Sequence, residues 1–265
     1  MMTIARFMTR DPVTVTADQP VRSLARTFKR DRYRHLPVVG KDCTLVGIVD
    51  DAEVFRHGLF TRERGWESYS PNDREPTAAD LANPALITRP TEPVRYVLEA
   101  LIRSSSDAVV VVDTGQIPVG IFTEHDAVGL AADTLGPDLP AADWGTSPVM
   151  TLSPTATARE VLETMAFWST RHVVVADANG LHGVLSWRDL LEHDAHAHPN
   201  LQVKTISPGG ALETAQADEP LRAVAERMFR QSVGCLPVVD ARGDLAAVVT
   251  RTDLIVALLR AAAPV

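Results

Sequence analysis

Four short elements in this 265-residue chain set an oxygen-bearing side chain three residues ahead of an acid, just before an apolar pattern of helical period. They are Asp50 with Glu53, Thr123 with Asp126, Ser186 with Asp189, and Thr250 with Asp253. Locally this is a capping box, in which hydroxyl and acid satisfy backbone N–H groups that a helix start leaves orphaned. A helix start also favours a bound anion, so the same place is suited to a ligand. Two basic pairs, Arg34-His35 and Arg171-His172, stand directly before apolar runs, either as strand-edge residues facing water or as partners for negative charge. His193, His196 and His198, with Asp194 between them, are spaced to hold a transition metal or to form a polar connector. No Gly-x-Ser-x-Gly, Walker loop or Gly-x-Gly-x-x-Gly occurs, so no nucleophile comes with a recognisable base. His125 beside Asp126 suggests acid–base chemistry, but one such pair at a helix start is usually a surface pair.

The elements that must position these residues recur with them. Arg22, Arg95, Arg159 and Arg222 each lead an apolar run that opens 14 residues later, at Leu36, Val109, Val173 and Leu236. Gly47, Gly120, Gly183 and Ala247 follow, each six positions before the acid of its element, so the acids lie 31, 31, 30 and 31 residues beyond their arginines. Four such registers imply internal duplication. The unit is plainest from Arg222 to Asp253. Leu221, Val224, Ala225, Met228 and Phe229 keep a helical period, Leu236 to Val239 and Ala247 to Val249 read as strands, and Gly243 and Asp244 suit the turn between them. A second helix runs from Leu254 to Leu259, and before the first helix Met8 to Val15 reads as a turn feeding a short strand. The fold class is therefore α/β of the α+β kind, four β-α-β-β-α repeats. One such repeat is too small to bury its own apolar faces, which explains an even number. Two modules are expected, 1–135 with repeats at about 8–57 and 79–132, and 139–262 with repeats at about 141–194 and 203–260. Leu135 to Pro140 is the expected boundary. Arg56 to Thr77 reads as an irregular connector whose Trp66 and Tyr69 are candidates for docking on a neighbouring surface.

Composition narrows the function classes. With 26 basic and 34 acidic residues, a net charge of −8 and no Lys/Arg block, a nucleic-acid footprint is not expected. Two cysteines, Cys43 and Cys235, suit a reduced compartment. No apolar signal core opens the chain and no run approaches a membrane span, so the expectation is a cytoplasmic protein without membrane contact.

The order Met-Thr-x-x-Pro-Val-Thr-Val, helix, His-Leu-Pro-Val-Val, turn, Gly-Ile-Val and Thr-x-x-Asp resembles the CBS domain, named after cystathionine β-synthase, over nearly the whole chain. The resemblance implies two tandem pairs, called Bateman modules, which often dimerise and hold adenine nucleotides or adenosyl ligands in clefts between paired repeats. It implies ribose contacts for Thr123 and Asp126, Ser186 and Asp189, and Thr250 and Asp253. A carboxylate there can accept hydrogen bonds from both vicinal hydroxyls. It implies phosphate contacts for Arg34, His35, Arg171 and His172, with Arg188 and Arg251 as lesser, solvated candidates. Thr14, Thr151 and Thr214 stand six residues before Pro20, Thr157 and Pro220, a register expected to bring them near adenine or ribose, although β-propensity alone accounts for threonine there. Repeat one departs from the pattern with Asp50 and Glu53, and repeats two and four carry Asp107-Ala108 and Gly234-Cys235 in place of a basic pair. The second module is thus the better binding candidate. The expected function is a regulatory sensor of AMP, ADP, ATP or an adenosyl ligand, homodimeric, acting in trans on an unknown protein partner, without catalytic residues, cofactor or resident metal. The rivals are a ligand-free dimerisation scaffold and, further off, a small enzyme acting on nucleotides.

Overall fold

The computed structural model describes residues 2–31, 33–54, 74–104, 106–193, 195, 198–206 and 212–261. Most of the expected connector, with Trp66 and Tyr69, lies outside these residues.

Strand β1 (Thr9–Arg10) precedes the repeats' own strands. Repeat one then runs β2 (Val15–Thr16), the helix Val21–Asp31, β3 (His35–Val39), β4 (Leu45–Asp50) and a helical turn at 51–54. Repeat two is β5 (Ile87–Thr88), the helix Val94–Ser104, β6 (Ala108–Val112), β7 (Pro118–Thr123) and the helix Glu124–Thr134. In repeat three β8 (Thr151–Leu152) leads to the helix Ala158–Phe167, β9 (His172–Asp177), β10 (Gly180–Ser186) and the helix Trp187–Glu192. Repeat four comprises β11 (Ala215–Gln216), the helix Leu221–Gln231, β12 (Cys235–Val239), β13 (Leu245–Thr250) and the helix Arg251–Ala261. The β-α-β-β-α order thus holds in all four. In each, the opening strand lies parallel to the third element, as a helical crossover requires, and the two long strands form an antiparallel hairpin.

Local chemistry explains these elements. Leu221, Val224, Ala225 and Met228 bury one stripe of the helix Leu221–Gln231, and Ser232, left-handed at φ 56°, ends it. Asp240 Oδ1 accepts from the N–H groups of Arg242 and Asp244 at 2.8 and 3.0 Å, closing the hairpin with Gly243 at φ 85°. Strand β6 is buried at every position, as its unbroken apolar run predicts.

The chain comprises two compact units, 1–126 and 127–265. Within each, every repeat lends its leading segment to the other. Ile4–Arg6 bonds to repeat two, with Ile4 N–H donating to Glu92 O at 2.8 Å. In return Ala78–Leu81 docks on repeat one, where Ala78 and Leu81 join Leu24, Phe28, Leu36 and Val49 in the core. In the second unit Ala141–Trp144 bonds to Glu219 and Ala217 of repeat four, and Val203–Ile206 enters the core of repeat three with Val161, Leu185 and Leu190. Each fully buried Leu or Ile in such a leader contributes about 1.5–3 kcal/mol.

Candidate functional site

The leaders continue across the partner repeat's hairpin. Thr9 pairs with Ile121 of β7, Asn83 with Ile48 of β4, and Thr146 with Val248 of β13. By strand register Ile48, Ile121 and Val248 are equivalent positions, so Thr9, Asn83 and Thr146 are too. The crossing explains the small residues at Gly47 and Gly120. A β-carbon at Gly47 would lie 2.7 Å from Asn83 O, and one at Gly120 would overlap the Met8 thioether.

The last strand residue of each hairpin, Asp50, Thr123, Ser186 or Thr250, opens the element that ends in an acid. Ser186 N–H and Oγ donate to Asp189 Oδ2 at 2.7 and 2.6 Å, and Asp189 N–H returns a bond to Ser186 Oγ at 3.3 Å. Thr250 and Asp253 repeat this at 2.8, 2.6 and 3.3 Å, and Thr123 N–H and Oγ1 donate to Asp126 Oδ2 at 2.7 and 2.9 Å. In repeat one Asp50 Oδ1 accepts from Glu53 N–H at 2.8 Å. The reciprocal capping box is thus complete in repeats three and four, with one half of it present in each of repeats one and two, and in repeats two to four the bonds to the acid converge on one carboxylate oxygen. In the second unit the other oxygen is approached from the partner repeat, for Thr146 Oγ1 donates to Asp253 Oδ1 at 3.3 Å, and in the first unit Thr9 stands at the equivalent place near Asp126. Burial pushes the Asp126 and Asp253 carboxyls above their ordinary range, opposed by the hydrogen bonds from Thr123 and Thr250. Thr9 and Thr146 escaped the sequence reading. Their signal was a threonine two or three residues ahead of Pro12 and Pro148.

The expected phosphate residues open strands β3 and β9. His35 lies opposite Asp50 and His172 opposite Ser186. Arg34 O accepts from Asp51 N–H at 2.9 Å, and Arg171 O from Trp187 N–H at 2.8 Å, so each basic pair is bonded to its own element. The partner repeat meets them here. His35 Nε2 lies 4.0 Å from Asp107 Oδ2, and in the second unit the His172 ring occupies the space a β-carbon at Gly234 would take. Arg251, expected in solvent, is instead buried, with Nη2 at 3.4 Å from the Ser232 and Val233 carbonyls. Cys235 is buried and its thiol is pushed up to about 12 by desolvation, which makes it inert. The threonine register holds along the strands. Leu152 pairs with Val175 as Val15 and Ala215 pair with the equivalent Val38 and Val238, so Thr151, one residue earlier, stands where Thr14 and Thr214 do.

Of the histidine candidates, His193 Nδ1 lies 2.9 Å from Asp189 O at a helix end, His198 is exposed, and His196 and Asp194 lie outside the described residues. Among the described residues no three His, Cys, Asp or Glu side chains gather to hold a metal, and no helix is long and apolar enough to cross a membrane.

Comparison with known proteins accords with this architecture. The protein MJ1225 of Methanocaldococcus jannaschii is 23% identical over 92% of this chain and 94% of its own. Its crystal structure, described as that of a candidate archaeal homologue of γ-AMPK, superposes at a TM-score of 0.82 with 18% identity, covering 97% of this chain and all of that one. A conserved protein of Pyrococcus horikoshii gives 0.70 at 22% identity over 97% of this chain and all of its own. At these identities the two structures share the fold. The family model of the CBS domain matches four times, at residues 4–59, 78–133, 141–196 and 206–260. The chain belongs to the CBS domain family.

Proposed function

We propose that the protein is a regulatory sensor that binds AMP, ADP, ATP or an adenosyl ligand and passes its occupancy in trans to a protein partner, as a homodimer in the cytoplasm. The observation that carries this reading is the exchange at Asp253, where a carboxylate capping one repeat is also bonded by a threonine of the other. A ribose diol on such a carboxylate bridges two repeats, and Arg171 and His172 supply positive charge for its phosphate. Binding then favours one relative arrangement of the paired repeats, to the extent that the ligand prefers it.

Thermal unfolding with AMP, ADP, ATP, S-adenosylmethionine and GTP tests it. A ligand at a hundredfold excess over its dissociation constant stabilises by about 2.7 kcal/mol. Adenine ligands are expected to raise the midpoint and GTP to leave it unmoved. Asp189→Ala and Asp253→Ala should weaken binding. If no adenine ligand shifts the midpoint, the completed capping boxes favour the second reading, a ligand-free scaffold.

A further inference from the structure

The strand registers make four sets of residues positionally equivalent, and their charges differ sharply between the two units. The residue before each middle strand accepts a backbone bond from the residue after each motif hydroxyl or acid. These bonds are Asp51 to Arg34, Glu124 to Asp107, Trp187 to Arg171, and Arg251 to Gly234, at 2.9, 3.1, 2.8 and 3.3 Å. Each motif is therefore held beside its strand start in the same way. In the first unit Arg34 stands against Asp50, Asp51 and Glu53 in repeat one, and repeat two adds Asp107, Glu124 and Asp126. In the second unit the same positions hold Arg171 and Arg251 with Asp189 and Asp253, and Arg188 stands where the first unit has Ala52 and His125. These segments thus carry one arginine and six carboxylates in the first unit, and three arginines and two carboxylates in the second. The contrast is sharpest where paired repeats meet, with Asp107 4.0 Å from His35 in one unit and Gly234 against His172 in the other.

We propose that the two units divide adenine ligands by charge. The second takes the phosphorylated nucleotide, with Arg171 and His172 on the phosphate, while the first rejects phosphate through Asp107 and takes an adenosyl ligand that carries none. This rests on the ligand reading above and adds to it a repulsive element, the means by which similar sites are made specific. A phosphate beside Asp107 meets like charge in a partly desolvated place, where repulsion is little screened. Gly234 offers no such charge, and its missing side chain leaves room for the imidazole.

Calorimetric titration of the full chain tests this with AMP and S-adenosylmethionine, each alone and each into protein saturated with the other. Both should bind without displacing one another. Arg171→Ala should weaken AMP at least tenfold and leave S-adenosylmethionine at its wild-type affinity, and Asp107→Gly should raise the number of AMP molecules bound per chain. Asp107→Asn serves if the glycine variant does not fold. Competition between the two ligands, an unchanged AMP stoichiometry in the folded Asp107 variant, or S-adenosylmethionine failing to bind while AMP does, would overturn the division and leave the sensor reading standing. Binding of neither ligand would overturn both.

Discussion

At Gly234 any β-carbon overlaps the His172 ring, so alanine there must displace the imidazole or the strand behind it. Overpacking of this kind costs about 1–3 kcal/mol, and Gly234→Ala should lose that much in urea denaturation and bind AMP more weakly. Wild-type stability and affinity would show that the imidazole is not held there. Ser186→Ala, which removes a cap that accepts Asp189 N–H, should cost about 1 kcal/mol even without ligand. The buried carboxyls of Asp126 and Asp253 carry a pH dependence. Burial raises their pKa in the fold above the ordinary 3.8, so the ionised form is disfavoured there. Their cost to stability is absent below 3.8 and grows as pH rises through the raised value. A diol that donates to the carboxylate stabilises the ionised form. Nucleotide affinity should therefore fall as pH is lowered through that range, and Asp253→Asn should flatten the fall. An equally steep fall in the variant would assign the dependence to another group.

The leading segments are the elements that tie the repeats together, and the residues they cross report on it. Gly47→Ala would bring a β-carbon to 2.7 Å from a backbone carbonyl, which cannot move without shifting Asn83. Gly120→Ala meets the side chain of Met8, which can rotate away. Gly47→Ala should thus cost roughly 1–3 kcal/mol in chemical denaturation and Gly120→Ala less. The reverse order would mean that the β1 crossing holds repeat two more firmly than the Asn83 crossing holds repeat one. Much at this scale was legible beforehand. The helix expected from Pro20 to Arg30 spans Val21–Asp31, and the buried run Val109 to Val112 lies within β6. Leaders such as Ala78–Leu81 and Val203–Ile206 were not legible as elements, because four residues are too few to show a helical period.

For the molecule as a whole, ligand binding should register where the proposed division places it. Hydrogen exchange with AMP should protect β9, β10, β12 and β13 of the second unit more than β3, β4, β6 and β7 of the first. S-adenosylmethionine should reverse the order. Equal protection of both units by AMP would contradict the charge division, and protection of neither by any adenine ligand would leave the scaffold reading. Membership of the CBS domain family and the fold shared with MJ1225 place the chain among paired-repeat proteins. The charges that distinguish its two units are properties of its own residues.

The sequence by itself determined the four repeats, their β-α-β-β-α order and the hydroxyl–acid elements, because periodicity, turn residues and fixed spacing are local signals that survive without a partner. Tertiary structure alone decided which repeat each leader serves, that Thr146 reaches the carboxylate of Asp253 while Thr9 crosses the equivalent place in repeat two, and that Arg251 is buried. It also decided that Asp107 and Gly234 occupy equivalent places beside His35 and His172. Those outcomes depend on contacts between segments dozens of residues apart. Spacing along a chain carries no record of such contacts until burial of the apolar faces brings the paired repeats together.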